Sequence, residues 1–212
     1  MPYTPTNWVE GVTTLGPTNM NKIESELAFL DARIPAAALS YGTTLPGSPV
    51  DGQEAILVDS VTAPTYQWRF RYNAGGGTYK WEFVGGSPLA SEVYTLESTA
   101  SGTYVDLTTV GPQVTLPRSG DYDFHFGASG FSSTSATTGL RVAVKIAAIA
   151  TTDNESLVIS SNVASFEQSS ARWLRMPGRT ASDVCKLQYL TTAAVSASFR
   201  RRWLHCLPLR VS

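Results

Sequence analysis

Charge is the scarcest property of this sequence: Asp, Glu, Lys and Arg make up 16% of its 212 residues, against about 25% in ordinary soluble domains. With 16 basic and 17 acidic residues the net charge is -1. That leaves no electrostatic basis for nucleic acid or an anionic membrane as the main partner. Histidine is confined to His125 and His205, and cysteine to Cys185 and Cys206. Two thiols do not make a disulfide framework; they read either as buried free thiols or as a single bridge. No apolar run reaches the ~18 residues of a membrane span, so no membrane insertion is expected. Met1-Pro2-Tyr3-Thr4-Pro5 lacks a basic stretch followed by an apolar one, so it reads as an extended peptide and not as a secretory signal. Ser, Thr and Gly fill the place of charge. A hydroxyl-rich surface suits a β-rich extracellular or virion-type protein.

Residues 1–17 carry three prolines and little periodicity, which predicts an extended arm. Asn7-Trp8-Val9 puts a large aromatic on this arm, where it either docks into another protein or folds back on its own domain. Thr18 reads as a helix N-cap after Pro17, and Pro35 as the helix end. Between them Met20, Ile23, Leu27, Leu30 and Ile34 recur at steps of 3, 4, 3 and 4, the seam spacing of a coiled coil. Two heptads are marginal alone, so the helix packs on its own chain or joins copies of itself. The residues from Ala36 to Pro49 read as a linker.

A compact β region follows. Ala55–Val58 is a short apolar run, and Tyr66, Trp68, Phe70 and Tyr72 alternate with Gln67, Arg69 and Arg71, a period of two. Gly75-Gly76-Gly77 reads as a hairpin tip before Tyr79, Trp81 and Phe83. It lacks the Lys-Ser/Thr of a phosphate loop. From about Ala90 every strong signal is β. Tyr122, Phe124 and Phe126 alternate with Asp121, Asp123 and His125; Leu140, Val142, Val144 and Ile146 form another alternating set; Cys185, Leu187 and Tyr189 form a third. Short, turn-punctuated strands predict a sandwich or jelly roll. The expected divisions are 1–17 (arm), 18–41 (oligomerising helix and linker), 42–89 (small β module) and 90–212 (β-sandwich).

Chemistry-bearing constellations are few. No G-x-S-x-G elbow surrounds a serine, and no paired metal-ligand spacing occurs. His205 and Cys206 are adjacent and would face opposite sides of a strand. Asp121 and Asp123 share a strand face, where they either hold Ca²⁺ or do acid/base work, or simply form a polar face. In Arg200-Arg201-Arg202, strict alternation would put Arg200 and Arg202 on one side and Arg201 with Phe199 and Trp203. An arginine there either pairs with a carboxylate such as Asp121 or Asp123 at an interface, or lies on a solvated edge. No cofactor is implied.

Three segments carry a resemblance. Asn7-Trp8-Val9-Glu10-Gly11, followed by Asn19-Met20-Asn21-Lys22-Ile23-Glu24, resembles the N-terminal signature of tailed-bacteriophage minor structural proteins, which read N-W-x-x-G and then L-N-x-I-E. Met20 stands where that signature has Leu, which keeps the seam apolar. Leu45-Pro46, Ser48-Pro49 and Asp51-Gly52-Gln53-Glu54, then Trp68-Arg69, Arg71-Tyr72-Asn73 and Lys80-Trp81-Glu82-Phe83-Val84-Gly85-Gly86, resemble a module of phage tail-fibre-like proteins. Gly111-Pro112 to Gly120-Asp121-Tyr122, with Arg202-Trp203-Leu204 and Leu207-Pro208-Leu209-Arg210-Val211, look like the C-terminal β-sandwich of the same proteins. The resemblance implies a trimeric virion protein ending in a jelly roll similar to the tumour-necrosis-factor type.

The expectation is therefore a mainly β, homotrimeric structural appendage of a tailed bacteriophage, located on the virion, and not an enzyme. It is read as a tail fibre or minor tail protein, with a capsid head-fibre or decoration protein and a surface-glycan hydrolase as the other readings. The expected partners are copies of itself, another virion protein held through Asn7, Trp8 and Val9, and a host cell-surface glycan. The hydroxyl-rich segment from Ser129 to Gly139 is the expected receptor loop, with Ser132, Ser133, Thr134, Ser135, Thr137 and Thr138 as candidate contacts. Loops on a rigid sheet are where recognition residues concentrate.

Overall fold

The computed structural model describes residues 16–37, 39–134, 138–161, 164–192 and 195–212. Helix α1 runs Pro17–Ala37. The Gly16 carbonyl accepts the Met20 N–H at 3.1 Å, so Gly16 holds the cap position and Pro17 the first helical one. Proline fits there because its missing N–H would have no partner in the helix anyway. The expected N-cap at Thr18 is thus two residues too late. The expected stop at Pro35 is also early. Pro35 lies in the last turn, where its missing donor removes one bond and the helix still reaches Ala37.

Among the described residues thirteen strands form two sheets. The fold is mainly β and sandwich-like, as the alternating patterns predict. β1 (Ser40–Gly42) falls inside the expected linker and pairs in parallel with β2 (Glu54–Val58). β3 (Gln67–Tyr72) and β4 (Trp81–Gly86) complete the aromatic meander. Trp68 and Phe70 are fully buried, and Trp68 Nε1 donates to the Ser87 carbonyl at 2.7 Å. That bond lets a large polar-tipped ring sit in a core. Gly86 has φ +142, and a Cβ there would lie 2.2 Å from the Gln67 carbonyl oxygen, so only glycine fits.

The large sheet is organised by the last strand. β5 (Leu89–Val93), β6 (Glu97–Thr99) and β7 (Gln113–Thr115) are short; β8 (Gly120–Ser132) is long, and β9 (Thr138–Ile146) and β10 (Ser156–Ser161) follow. β11 (Gln168–Arg179), β12 (Val184–Thr191) and β13 (Ala197–Val211) close the chain. One edge of β13 takes β8 along its length, and β11 lies beyond β8. The other edge takes β6, β5 and β4 in succession. The meander's sheet therefore continues into the sandwich through Glu82↔Arg210 and Trp81↔Val211. The second sheet has the order β10-β9-β12-β7.

Facing residues of the two sheets make one core. Tyr122, Phe124 and Phe126 from β8, Leu140, Val142 and Val144 from β9, Leu187 and Tyr189 from β12, and Phe199, Leu204 and Cys206 from β13 are all buried in it. Cys185 and Cys206 are both free and buried. Burial pushes both thiols up, Cys185 to about 12, because a thiolate loses its hydration there.

Candidate functional site

The outer face of the large sheet carries the polar residues that alternate with this core. Within β13 that alternation is reset. Arg200 pairs with Ser129 and Trp203 with Gly127, so two residues of β13 stand opposite one of β8. Arg201 takes φ +49. This is a β-bulge, in which one residue is inserted and its side chain re-aimed. Phe199 and Arg202 consequently point inward, Arg200 and Trp203 outward, and Arg201 is exposed. Strict alternation across Arg200–Arg202 therefore fails. Nor do Asp121 and Asp123 pair with this run. Arg200 binds Glu167 and Arg202 binds Glu97. Asp121 meets Arg210 at 2.7 Å and Asp123 meets Arg175 at 3.2 Å.

The bulge borders a groove of about 430 Å³ that crosses four strands. Trp203 lies against Gly127: a Cβ on that glycine would come within 2.8 Å of indole carbons. Ser129 and Ser169 share a hydrogen bond at 2.7 Å across β8 and β11, and Ala171 lies exposed further along β11. Opposite them, the Tyr94 hydroxyl donates to Glu92. That bond, made by the neutral phenol, holds Tyr94 above its ordinary pKa. Glu92 Oε1 also lies 4.0 Å from His205 Nε2. His205 sits 5.1 Å from Trp203, centroid to centroid, and pairs in register with His125. His125 in turn meets Trp173 at 6.3 Å. His205 and Cys206 do face opposite ways, with Cys206 in the core.

The outer face of the second sheet is different. Arg141 and Asp153 pair at 2.9 Å, the Tyr104 hydroxyl donates to Asp153 at 2.8 Å, and Lys186 pairs with Asp106 at 2.5 Å. These charges are matched locally. Among the described residues no group of three or more His, Cys, Asp or Glu is placed to hold a metal ion. Among the described residues no helix is long and apolar enough to cross a membrane.

Asn7, Trp8 and Val9 lie outside the described residues. Met20, Ile23 and Leu27 are 49%, 42% and 59% exposed on α1; the side chains of Leu30 and Ile34 lie outside the described set. The expected receptor loop is shorter than its composition implied. Ser129 and Ser132 belong to β8 and are buried, Ser132 completely. Ser133 and Thr134 are exposed, Ser135 and Thr137 lie outside the described residues, and Thr138 already pairs with Ser161 at the start of β9. The glycines of residues 127–130 are held small by what packs over them, and Gly127 lies under the Trp203 indole. A Cβ on Gly130 would meet Leu140 and the Ser198 carbonyl at 3.0 Å. The groove was not singled out from the sequence. Its residues come from four distant segments, and the one local signal, Trp203 beside an arginine run, carries no spacing that marks a site.

No family model and no curated protein matches the sequence. Among solved structures, the chain is similar to infectious bursal disease virus of the Gx strain at 11% identity and TM-score 0.38, over 66% of this chain and 38% of the other. It is similar to the VP2 subviral particle of infectious bursal disease virus at 9% identity and TM-score 0.36, over 78% and 54%. It is also similar to the N-terminal endo-1,4-beta-D-xylanase 10B of Clostridium thermocellum complexed with xylohexaose, at 13% identity and TM-score 0.28, over 74% and 25%. The chain spans less than two thirds of each of these proteins, and scores of this size carry no argument about function.

Proposed function

We propose that the chain is a structural appendage protein of a tailed-bacteriophage virion. In this reading the N-terminal arm attaches to another virion protein, α1 joins three copies, and the sandwich is displayed to bind host-surface glycan. The observation that carries it is the exposed apolar row Met20, Ile23 and Leu27 on a helix that precedes a β body. Exposed apolar rows of this kind mark association surfaces. The sequence before and within that helix resembles the attachment signature of phage minor structural proteins. Asp121 and Asp123 are held by arginines, which favours adhesion over the hydrolase reading, where a carboxylate must be available to substrate. The tail is the leading location; a capsid fibre or decoration protein has the same build.

The test is incorporation into particles. The full chain is expected in purified virions, and deletion of residues 2–16 is expected to abolish incorporation while leaving the melting temperature within a few degrees, since terminal arms add little to a core. A deleted protein that still enters particles would overturn attachment through the arm.

A further inference from the structure

We propose that the outer-face groove beside the β13 bulge is a binding site for an acidic saccharide, one whose sugar rings carry a carboxylate. The inference rests on the glycan-binding part of the preceding reading and places it on a sheet face instead of on the 133–137 loop. Three features point to this ligand.

The first is charge. Glu92 is occupied by the Tyr94 hydroxyl and faces His205. Arg200 is paired with Glu167, and Arg202 is turned inward to Glu97. Arg201 is exposed at the groove and makes no ion pair or hydrogen bond among the described residues. It is the one cation there left to meet an incoming anion. A carboxylate suits a guanidinium because two N–H groups can match two oxygens.

The second is the mixture of surfaces. A pyranose has an apolar C–H face and a rim of hydroxyls. Trp203 and Tyr94 offer aromatic surface with polar tips. Ser169, exposed beside Ser129, offers a hydroxyl within the same groove. Ala171, small and exposed, keeps the floor low beside Trp203, so a ring has room to lie across the strands.

The third is backbone. Arg201 holds a left-handed φ of +49 that a non-glycine residue rarely adopts. The bulge it makes is what turns its side chain away from the ladder and toward the groove. Outliers of this kind concentrate at functional sites.

The experiment is affinity electrophoresis of the full chain through native gels containing polygalacturonate, hyaluronate or polysialic acid, with dextran as the neutral control. Retardation by at least one acidic polymer and not by dextran is expected. Arg201→Gln, which removes one charge-assisted contact, and Trp203→Ala, which removes the aromatic surface, should each weaken it about tenfold or more. Ala171→Phe should do the same by filling the groove from an exposed position, which keeps the test valid if Trp203→Ala fails to fold. Thr134→Ala, in the loop, should change nothing. No retardation by any acidic polymer overturns the proposal, as does equal retardation by dextran. Retardation that survives Arg201→Gln and Ala171→Phe leaves glycan binding standing and removes this groove. Variants that change the particle mass in light scattering instead would make the groove a contact between copies, which also overturns it. Virion attachment is read from particles and is untouched by any of these outcomes.

Discussion

Arg202 and Glu97 form an ion pair across β13 and the edge strand β6, with Nη2 2.9 Å from Oε2 and the arginine wholly buried. The guanidinium lies 5.4 Å over the Tyr189 ring and also donates to the Thr95 carbonyl at 3.3 Å. Glu97 accepts both the hydroxyl and the N–H of Thr109. One pair therefore ties β6, the segment after it and the sandwich core to β13.

Removing the carboxylate should leave a buried cation without its counter-charge. Glu97→Ala is expected to cost about 3–5 kcal/mol, the range for breaking a buried pair from one side. The double variant Glu97→Leu with Arg202→Met should cost much less, since it removes both charges. Urea unfolding of the three proteins checks this, and equal losses in single and double variants would contradict it.

The same pair sets an acid limb of stability. Burial pushes Glu97 up, but Thr109 and Arg202 outweigh it and hold the carboxyl below its ordinary 4.5. Glu167 is held low by Arg200 in the same sense. A carboxyl with a lowered folded value stabilises the fold above its unfolded value and loses that contribution as pH falls through the folded one. Urea midpoints should therefore drop between about pH 5 and pH 3. Glu97→Gln should be less stable at neutral pH and show a shallower drop.

Cys185 and Cys206 should be inert in the folded protein. The thiolate is the reactive form, and burial disfavours it at both positions. Ellman's reagent at neutral pH is expected to find no fast-reacting thiol in the native chain and both after denaturation in guanidinium. Rapid native labelling would mean that one of them is accessible.

The helix makes a separate prediction. If Met20, Ile23 and Leu27 close a seam between copies, light scattering should give three times the 22.8 kDa chain. Leu27→Asp, which places a charge in that seam, should weaken association about a hundredfold or more, with the sandwich still folded by circular dichroism. A monomeric wild type at micromolar concentration contradicts the assembly.

Much of the sheet structure was legible in alternation, because the period of two maps directly onto a buried and an exposed face. Trp68 and Phe70, Tyr122, Phe124 and Phe126, and Cys185, Leu187 and Tyr189 all face the core as that pattern predicts. Alternation fails where one residue is inserted. The bulge at Arg201 exchanges the roles of Arg201 and Arg202, and nothing in an Arg-Arg-Arg run signals it. Composition misled at residues 129–132, where small polar residues look like a loop but belong to β8, with Ser129 and Ser132 buried and Gly130 close against Leu140 and the Ser198 carbonyl. The groove was illegible for a third reason: register, which a single sequence does not reveal, brings Glu92, Gly127, Ala171 and Trp203 into one row.

Labelling the chain in place tests whether it is displayed on a virion. Electron microscopy of purified particles decorated with an antibody fragment against the sandwich should show density at fixed positions on the particle exterior, at the tail in the leading reading and on the head in the capsid reading. Particles that carry no label, with all of the protein in the soluble fraction of the lysate, would contradict the account.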